Sequence, residues 1–136
     1  MENHEPPHKK PLVMIVEDNL DLRRCVSKCF QIAGCIVNDF ENGMEAHRIL
    51  SKNSGEKRTN QYDLILSDID MPEMDGLSLA KEAAILASET PFILMTGRPR
   101  DSYPENVLEV IEKPFEYTLC ERLIENYIHN GCSKYR

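Results

Sequence analysis

The stretch Tyr62-Asp-Leu-Ile-Leu-Ser-Asp68-Ile-Asp-Met-Pro-Glu-Met-Asp-Gly76 constrains this chain more than any other. Tyr62 to Ser67 reads as an apolar strand that ends on Asp68, and a turn punctuated by Pro72 and Gly76 follows at once. Such short, nearly continuous apolar runs suit a strand buried on both faces. A carboxylate at the C-terminal tip of a central strand in an open α/β sheet lies where these sheets bind ligands and do chemistry. Asp68 is therefore the first candidate for a reacting group.

Other apolar runs end in groups that suit it. Leu12 to Val16 leads into Glu17-Asp18, Phe92 to Met95 into Thr96-Gly97, and Val107 to Ile111 into Lys113-Pro114-Phe115. Cys35 to Phe40 reads as a further strand. Helical spacing fills the gaps. Leu22, Val26, Cys29, Phe30 and Ala33 form one stripe, opened by Asn19 or Asp21 and stopped by Gly34. Further helices are predicted over Met44 to about Lys52, Leu77 to Ala87, and Glu116 to about Asn130. Strands alternating with helices predict an α/β fold, a doubly wound parallel sheet of five strands.

If the strands are parallel, one rim of the sheet gathers Glu17, Asp18, Asp68, Thr96 and Lys113. Dense acidic oxygens suit a hard divalent cation such as Mg²⁺ (or Mn²⁺), which keeps several waters and binds a phosphate. The lysine and the hydroxyl would then hold phosphoryl oxygens. An aspartate carboxylate serves as a nucleophile in phosphoryl transfer, forming an aspartyl-phosphate.

These residues resemble the receiver domain of two-component response regulators (CheY-like). The resemblance rests on Glu17-Asp18, on Asp68 within Leu66-Ser-Asp-Ile-Asp-Met-Pro-Glu-Met-Asp-Gly76, on Thr96-Gly97, and on Lys113-Pro114-Phe115. Glu41-Asn-Gly-Met-Glu-Ala46 adds a matching turn and helix start. The resemblance implies a flavodoxin-like sheet in the order 2-1-3-4-5, an order for which a member of this family is itself the standard example. It implies that Asp68 is the phosphoacceptor. Glu17, Asp18, Asp68 and the backbone carbonyl of Asp70 would hold the metal, and Thr96, Gly97 and Lys113 would meet the phosphoryl group. Pro72 and Gly76 would shape the loop, and Pro114 would follow a cis peptide bond. It also implies a phosphohistidine donor, on a sensor histidine kinase or a histidine phosphotransfer protein, and a downstream protein reached through the face of the fourth and fifth strands.

Composition agrees. A chain of 136 residues suits one domain. Residues 12–130 are expected to form it, between short tails at 1–11 and 131–136. A net charge of -7 argues against non-specific nucleic-acid binding. No apolar run is long enough for a membrane span or a signal peptide, so a cytoplasmic protein is expected. The five cysteines, Cys25, Cys29, Cys35, Cys120 and Cys132, are an odd number and predict no disulfide framework. Cys25 and Cys29 lack neighbouring histidines and make a poor zinc site.

Three features depart from the receiver pattern. Only 16 residues lie between Thr96 and Lys113, and Pro99 and Pro104 fall among them. A shortened or degenerate fourth helix is therefore expected. Val110 stands where many receivers carry an aromatic residue. Asp70 adds a carboxylate that would repel phosphate, alter metal affinity or orient a hydrolytic water.

Two other readings compete. One is a receiver-fold binding module that takes no phosphate. The other is a haloacid dehalogenase-like phosphatase, given Asp68-Ile-Asp70, although there the acid pair follows the lysine rather than preceding the nucleophile. A receiver is not an enzyme in the ordinary sense, since only its own aspartate turns over.

Overall fold

The structure, a computed structural model, describes residues 10–53 and 62–130. The expected tails fall outside these residues except for positions 10 and 11, and so do residues 54–61. Pro11, expected in the tail, already joins the fold, because its carbonyl accepts a hydrogen bond from Ile36 N at 2.8 Å.

Five strands, β1 (Leu12–Val16), β2 (Ile36–Phe40), β3 (Leu64–Asp68), β4 (Phe92–Thr96) and β5 (Val107–Glu112), form one parallel sheet in the order β2-β1-β3-β4-β5. The helices are α1 (Leu20–Ile32), α2 (Gly43–Asn53), α3 (Gly76–Leu86) and α4 (Thr118–Ile124), and α4 continues as a π turn over Glu125–His129. The sheet and its order are those expected. Element ends shift slightly: β2 starts after Cys35, β3 after Tyr62 and Asp63, and the last helix at Thr118 rather than Glu116. Of the two candidates for the start of α1, Asn19 is the cap, its side chain accepting from Leu22 N at 2.9 Å.

Strand alternation sorts the core. Val13, Ile15, Leu64, Leu66, Ile93, Met95 and Ile111 pack with Val26 and Phe30 of α1 and with Cys120 and Leu123 of α4. Met14, Val16, Ile65, Phe92 and Leu94 pack with Ala46 and Leu50 of α2 and with Leu79, Ala80 and Ala83 of α3. Because successive strand side chains point to opposite faces, both faces must be apolar, which is why these runs show no polar alternation.

No helix joins β4 to β5. Residues 97–106 cross as an irregular strap of bends and a turn, with Pro99 and Pro104 each removing a backbone donor that a helix would need. The strap is anchored instead by side chains. Asn106 Nδ2 donates to Ala80 O at 2.9 Å, Arg100 N donates to Tyr103 Oη at 2.7 Å, and Tyr103 packs against the α2/α3 side of the core. Where the strap re-enters the sheet, the register skips Leu108, since Phe92 pairs with Val107 and Ile93 with Glu109.

Candidate functional site at the sheet rim

Glu17, Asp68 and Lys113 continue the strand parity of Val13 and Ile15, of Leu64 and Leu66, and of Ile111. All three therefore emerge on the α1/α4 side at the ends of β1, β3 and β5. Lys113 Nζ lies 3.0 Å from Asp68 Oδ1 and 3.0 Å from Glu17 Oε1. Both acids are almost wholly buried, and Asp18 beside them is exposed. Carboxylate oxygens of Glu17, Asp18 and Asp68 fall within 4.8 Å of one another. Among the described residues this is the one group of three or more acids, cysteines or histidines close enough to share a metal ion.

The electrostatics follow from one ammonium serving two buried carboxylates. Burial raises the Asp68 carboxyl above its ordinary range, and the Lys113 ammonium and the Ile69 N–H only partly offset it. Burial likewise raises Glu17, against the opposing pull of Asn19 N–H and Lys113. For Lys113 burial alone would lower the ammonium, but its two carboxylate partners carry it upward. Asp68 Oδ1 takes both described contacts, from Ile69 N at 2.9 Å and from Lys113. Oδ2 carries no described contact. Both Glu17 oxygens are already engaged, Oε1 by Lys113 and Oε2 by Asn19 N at 3.1 Å.

The loop after Asp68 is shaped by close backbone approach. A Cβ on Gly76 would sit 2.1 Å from the Asp68 carbonyl oxygen, so only glycine fits there. A Cβ on Gly43, at the start of α2, would sit 2.4 Å from the Met74 carbonyl oxygen. Pro72 is exposed, and its carbonyl accepts from Met74 N at 2.8 Å around Glu73, whose φ is 70°. That tight turn on a non-glycine residue has no sequence signature. The Lys113-Pro114 bond is cis, as expected from the resemblance.

Thr96 is fully buried, but its hydroxyl turns to the strap. It accepts from Arg98 N at 2.9 Å and donates to Arg98 O at 3.0 Å. Its parity follows Phe92 and Leu94, opposite to that of Met95. Gly97 is exposed, and a Cβ there would meet nothing within 4 Å. The carboxylate of Asp70 carries that residue's described contacts, accepting from Arg98 Nη2 at 3.1 Å and from Arg100 Nη2 at 2.7 Å. Burial alone would raise the Asp70 carboxyl, but the hydrogen bonds and charges of the two guanidiniums together hold it below its ordinary range. Arg98 and Arg100 had no assigned role in the sequence, because loop-to-loop ion pairs leave no periodic trace.

Residues 13–123 match the response regulator receiver domain family. The chain belongs to that family. It is 32% identical over 109 residues to the response regulator receiver protein CpdR of Brucella abortus (strain 2308), covering 76% of this chain and 84% of that protein. Other relatives are much longer. The DNA-binding transcriptional regulator NtrC of Escherichia coli (strain K12) is 30% identical over 128 residues, which are 88% of this chain and 26% of that protein. Among solved structures, the receiver domain of the hybrid histidine kinase CckA aligns with a TM-score of 0.70 at 28% identity, over 85% of this chain and 98% of that one. The fold is shared with response regulator TrrA of Thermotoga maritima, solved in complex with Mg²⁺-BeF, at a TM-score of 0.74 and 24% identity, over 87% and 99% of the two chains.

Membership of a two-component signalling family displaces the haloacid dehalogenase-like alternative. Cys35 and Cys120 are buried and free, and burial pushes them up to about 11 and about 12 respectively, which makes both poor nucleophiles. Cys132 lies outside the described residues. An apolar cleft of about 410 Å³, lined by Leu22, Cys25, Val26, Cys29, Phe115 and Cys120 among others, adjoins Lys113. Among the described residues no helix is long and apolar enough to cross a membrane.

Proposed function

We propose that Asp68 accepts a phosphoryl group from a phosphohistidine, on a sensor histidine kinase or histidine phosphotransfer protein, and that this switches a protein-binding surface. The observation that carries the reading is the Lys113–Asp68 pair at 3.0 Å beside Glu17 and Asp18. In the transfer, Asp68 Oδ2 bonds to phosphorus, the P–N bond to histidine breaks, and the histidine nitrogen keeps the electron pair. Lys113, held by Glu17, is placed to meet the oxygens of the arriving group. The oxygen-only donor set fits a hard cation, so Glu17, Asp18, Asp68 and the Asp70 carbonyl would hold Mg²⁺ or Mn²⁺. With both its oxygens engaged, Glu17 would act through water. The bound ion would neutralise charge on the incoming phosphoryl oxygens.

The phosphohistidine donor would find non-polar contact in the cleft beside Lys113. On the other side, Thr96, Gly97 and the strap would respond to the added charge and present the face of β4 and β5 to a downstream protein. The acidic net charge of -7 supports a protein target rather than direct nucleic-acid binding. The setting proposed is cytoplasmic, with no membrane contact, and the only turnover is phosphorylation and loss of phosphate at Asp68 itself.

The test is incubation with Mg²⁺ and acetyl phosphate followed by intact mass. One added phosphoryl group, lost without Mg²⁺ and lost in Asp68→Asn, is the expected result. No addition by the wild-type protein would favour a receiver-fold binding module that takes no phosphate.

A further inference from the structure

The strap between β4 and β5 is tied to the loop that carries Asp68 through a chain of named contacts. Asp70 Oδ1 accepts from both Arg98 Nη2 and Arg100 Nη2. Arg100 Nη1 also donates to the carbonyl of Arg98, and Thr96 Oγ1 donates to that same carbonyl at 3.0 Å. Arg98 N closes the ring by donating to Thr96 Oγ1 at 2.9 Å. The hydroxyl thus has both its donor and an acceptor site in use on a backbone segment that Asp70 holds in place. To donate to a phosphoryl oxygen, Thr96 must break its bond to the Arg98 carbonyl.

We infer that Asp70 is a positioning residue: through Arg98 and Arg100 it clamps the strap so that Thr96 stays turned to the Arg98 backbone, which weakens phosphoryl binding at Asp68. The inference rests on the proposed role of Asp68 and assigns Asp70 an indirect action. A direct action would be repulsion of phosphate, altered metal affinity or orientation of a water. The two modes differ in sign when the arginines are removed. If the clamp matters, Arg98→Ala/Arg100→Ala frees Thr96 and tightens binding of a phosphoryl mimic. If only charge matters, removing two cations beside an anion site weakens it. Arg98 is 76% exposed and Arg100 is 28% exposed, and neither belongs to the apolar core.

The experiment titrates beryllofluoride at saturating Mg²⁺ into wild type, Arg98→Ala/Arg100→Ala, Asp70→Ala and the triple variant. The coupling of partly exposed ion pairs predicts a gain of roughly two- to fivefold for the double arginine variant. Asp70→Ala should then add almost nothing in that background, since the clamp is already open. A loss of affinity on removing the arginines, or an undiminished effect of Asp70→Ala without them, overturns the clamp. A second readout needs no metal. Three-bond couplings of Thr96 should report one χ1 rotamer in the wild type and averaging in the arginine variant, and unchanged couplings would count against the clamp. Absence of beryllofluoride binding by the wild type would sink the role of Asp68 instead, and the couplings would still decide the clamp.

Discussion

Lys113 Nζ and Asp68 Oδ1 lie 3.0 Å apart at the ends of β5 and β3, and the contact is shared, because the same nitrogen lies 3.0 Å from Glu17 Oε1. One cation therefore compensates two buried anions. Burial raises both acids more than their share of one ammonium lowers them, while the lysine, with two carboxylate partners, is carried upward against its own burial. The site is underneutralised as built, and it gains from any further positive charge.

Removing the shared cation should cost more at neutral pH than in mild acid. Lys113→Met leaves two buried carboxylates without their ammonium, a loss of about 3 kcal/mol by analogy with broken buried pairs. At pH 5 the acids take up protons more readily and the loss should shrink. Urea denaturation at both pH values measures it. Equal losses at the two would contradict the shared-cation arrangement.

The acids themselves predict the pH dependence of the metal-free protein. A carboxyl raised in the folded state binds protons more tightly there than in the unfolded chain. Its destabilising effect is absent below the ordinary value, 3.8 for Asp68 and 4.5 for Glu17, grows as pH rises from there to the folded value, and is complete above it. Their contribution to stability should therefore fall as pH rises above about 4 and level off once both acids are ionised in the folded protein. Asp68→Asn should be more stable than wild type at pH 7 without Mg²⁺, and Mg²⁺ should narrow that difference by stabilising the wild type. Thermal midpoints across pH, with and without Mg²⁺, provide the check.

Two glycines should respond oppositely to alanine. At Gly76 the new Cβ would overlap the Asp68 carbonyl oxygen, and backbone must move, so Gly76→Ala should cost about 2 kcal/mol or more. At Gly97 the Cβ meets open space, and Gly97→Ala should stay within about 0.5 kcal/mol of wild type. Denaturant midpoints of the two variants side by side test the contrast.

Much of the fold was legible because the sheet is buried on both faces. Runs such as Phe92 to Met95 have nowhere else to go, and Asn19 marks the start of α1 with its own side chain. Pro99 and Pro104 pointed to a shortened or degenerate helix between β4 and β5, and the structure has none there. The convergence of Glu17, Asp68 and Lys113 follows from strand parity once the order of strands is fixed. Other features carry no local code. Asp70 read as an excess carboxylate because its partners, Arg98 and Arg100, reach it only across two loops. The positive φ of Glu73 stands on a residue type that does not favour it, so nothing in the sequence marks it. The π turn that ends α4 likewise has no periodic signal in Glu125–His129.

The most direct measurement identifies the residue that takes the phosphoryl group. Protein treated with Mg²⁺ and acetyl phosphate is reduced with borohydride, which converts an aspartyl-phosphate to homoserine with release of phosphate, and the peptide is then sequenced by mass spectrometry. Homoserine at position 68 alone is the predicted result. Homoserine at Asp18 or Asp70, or at no position, would contradict the assignment of Asp68.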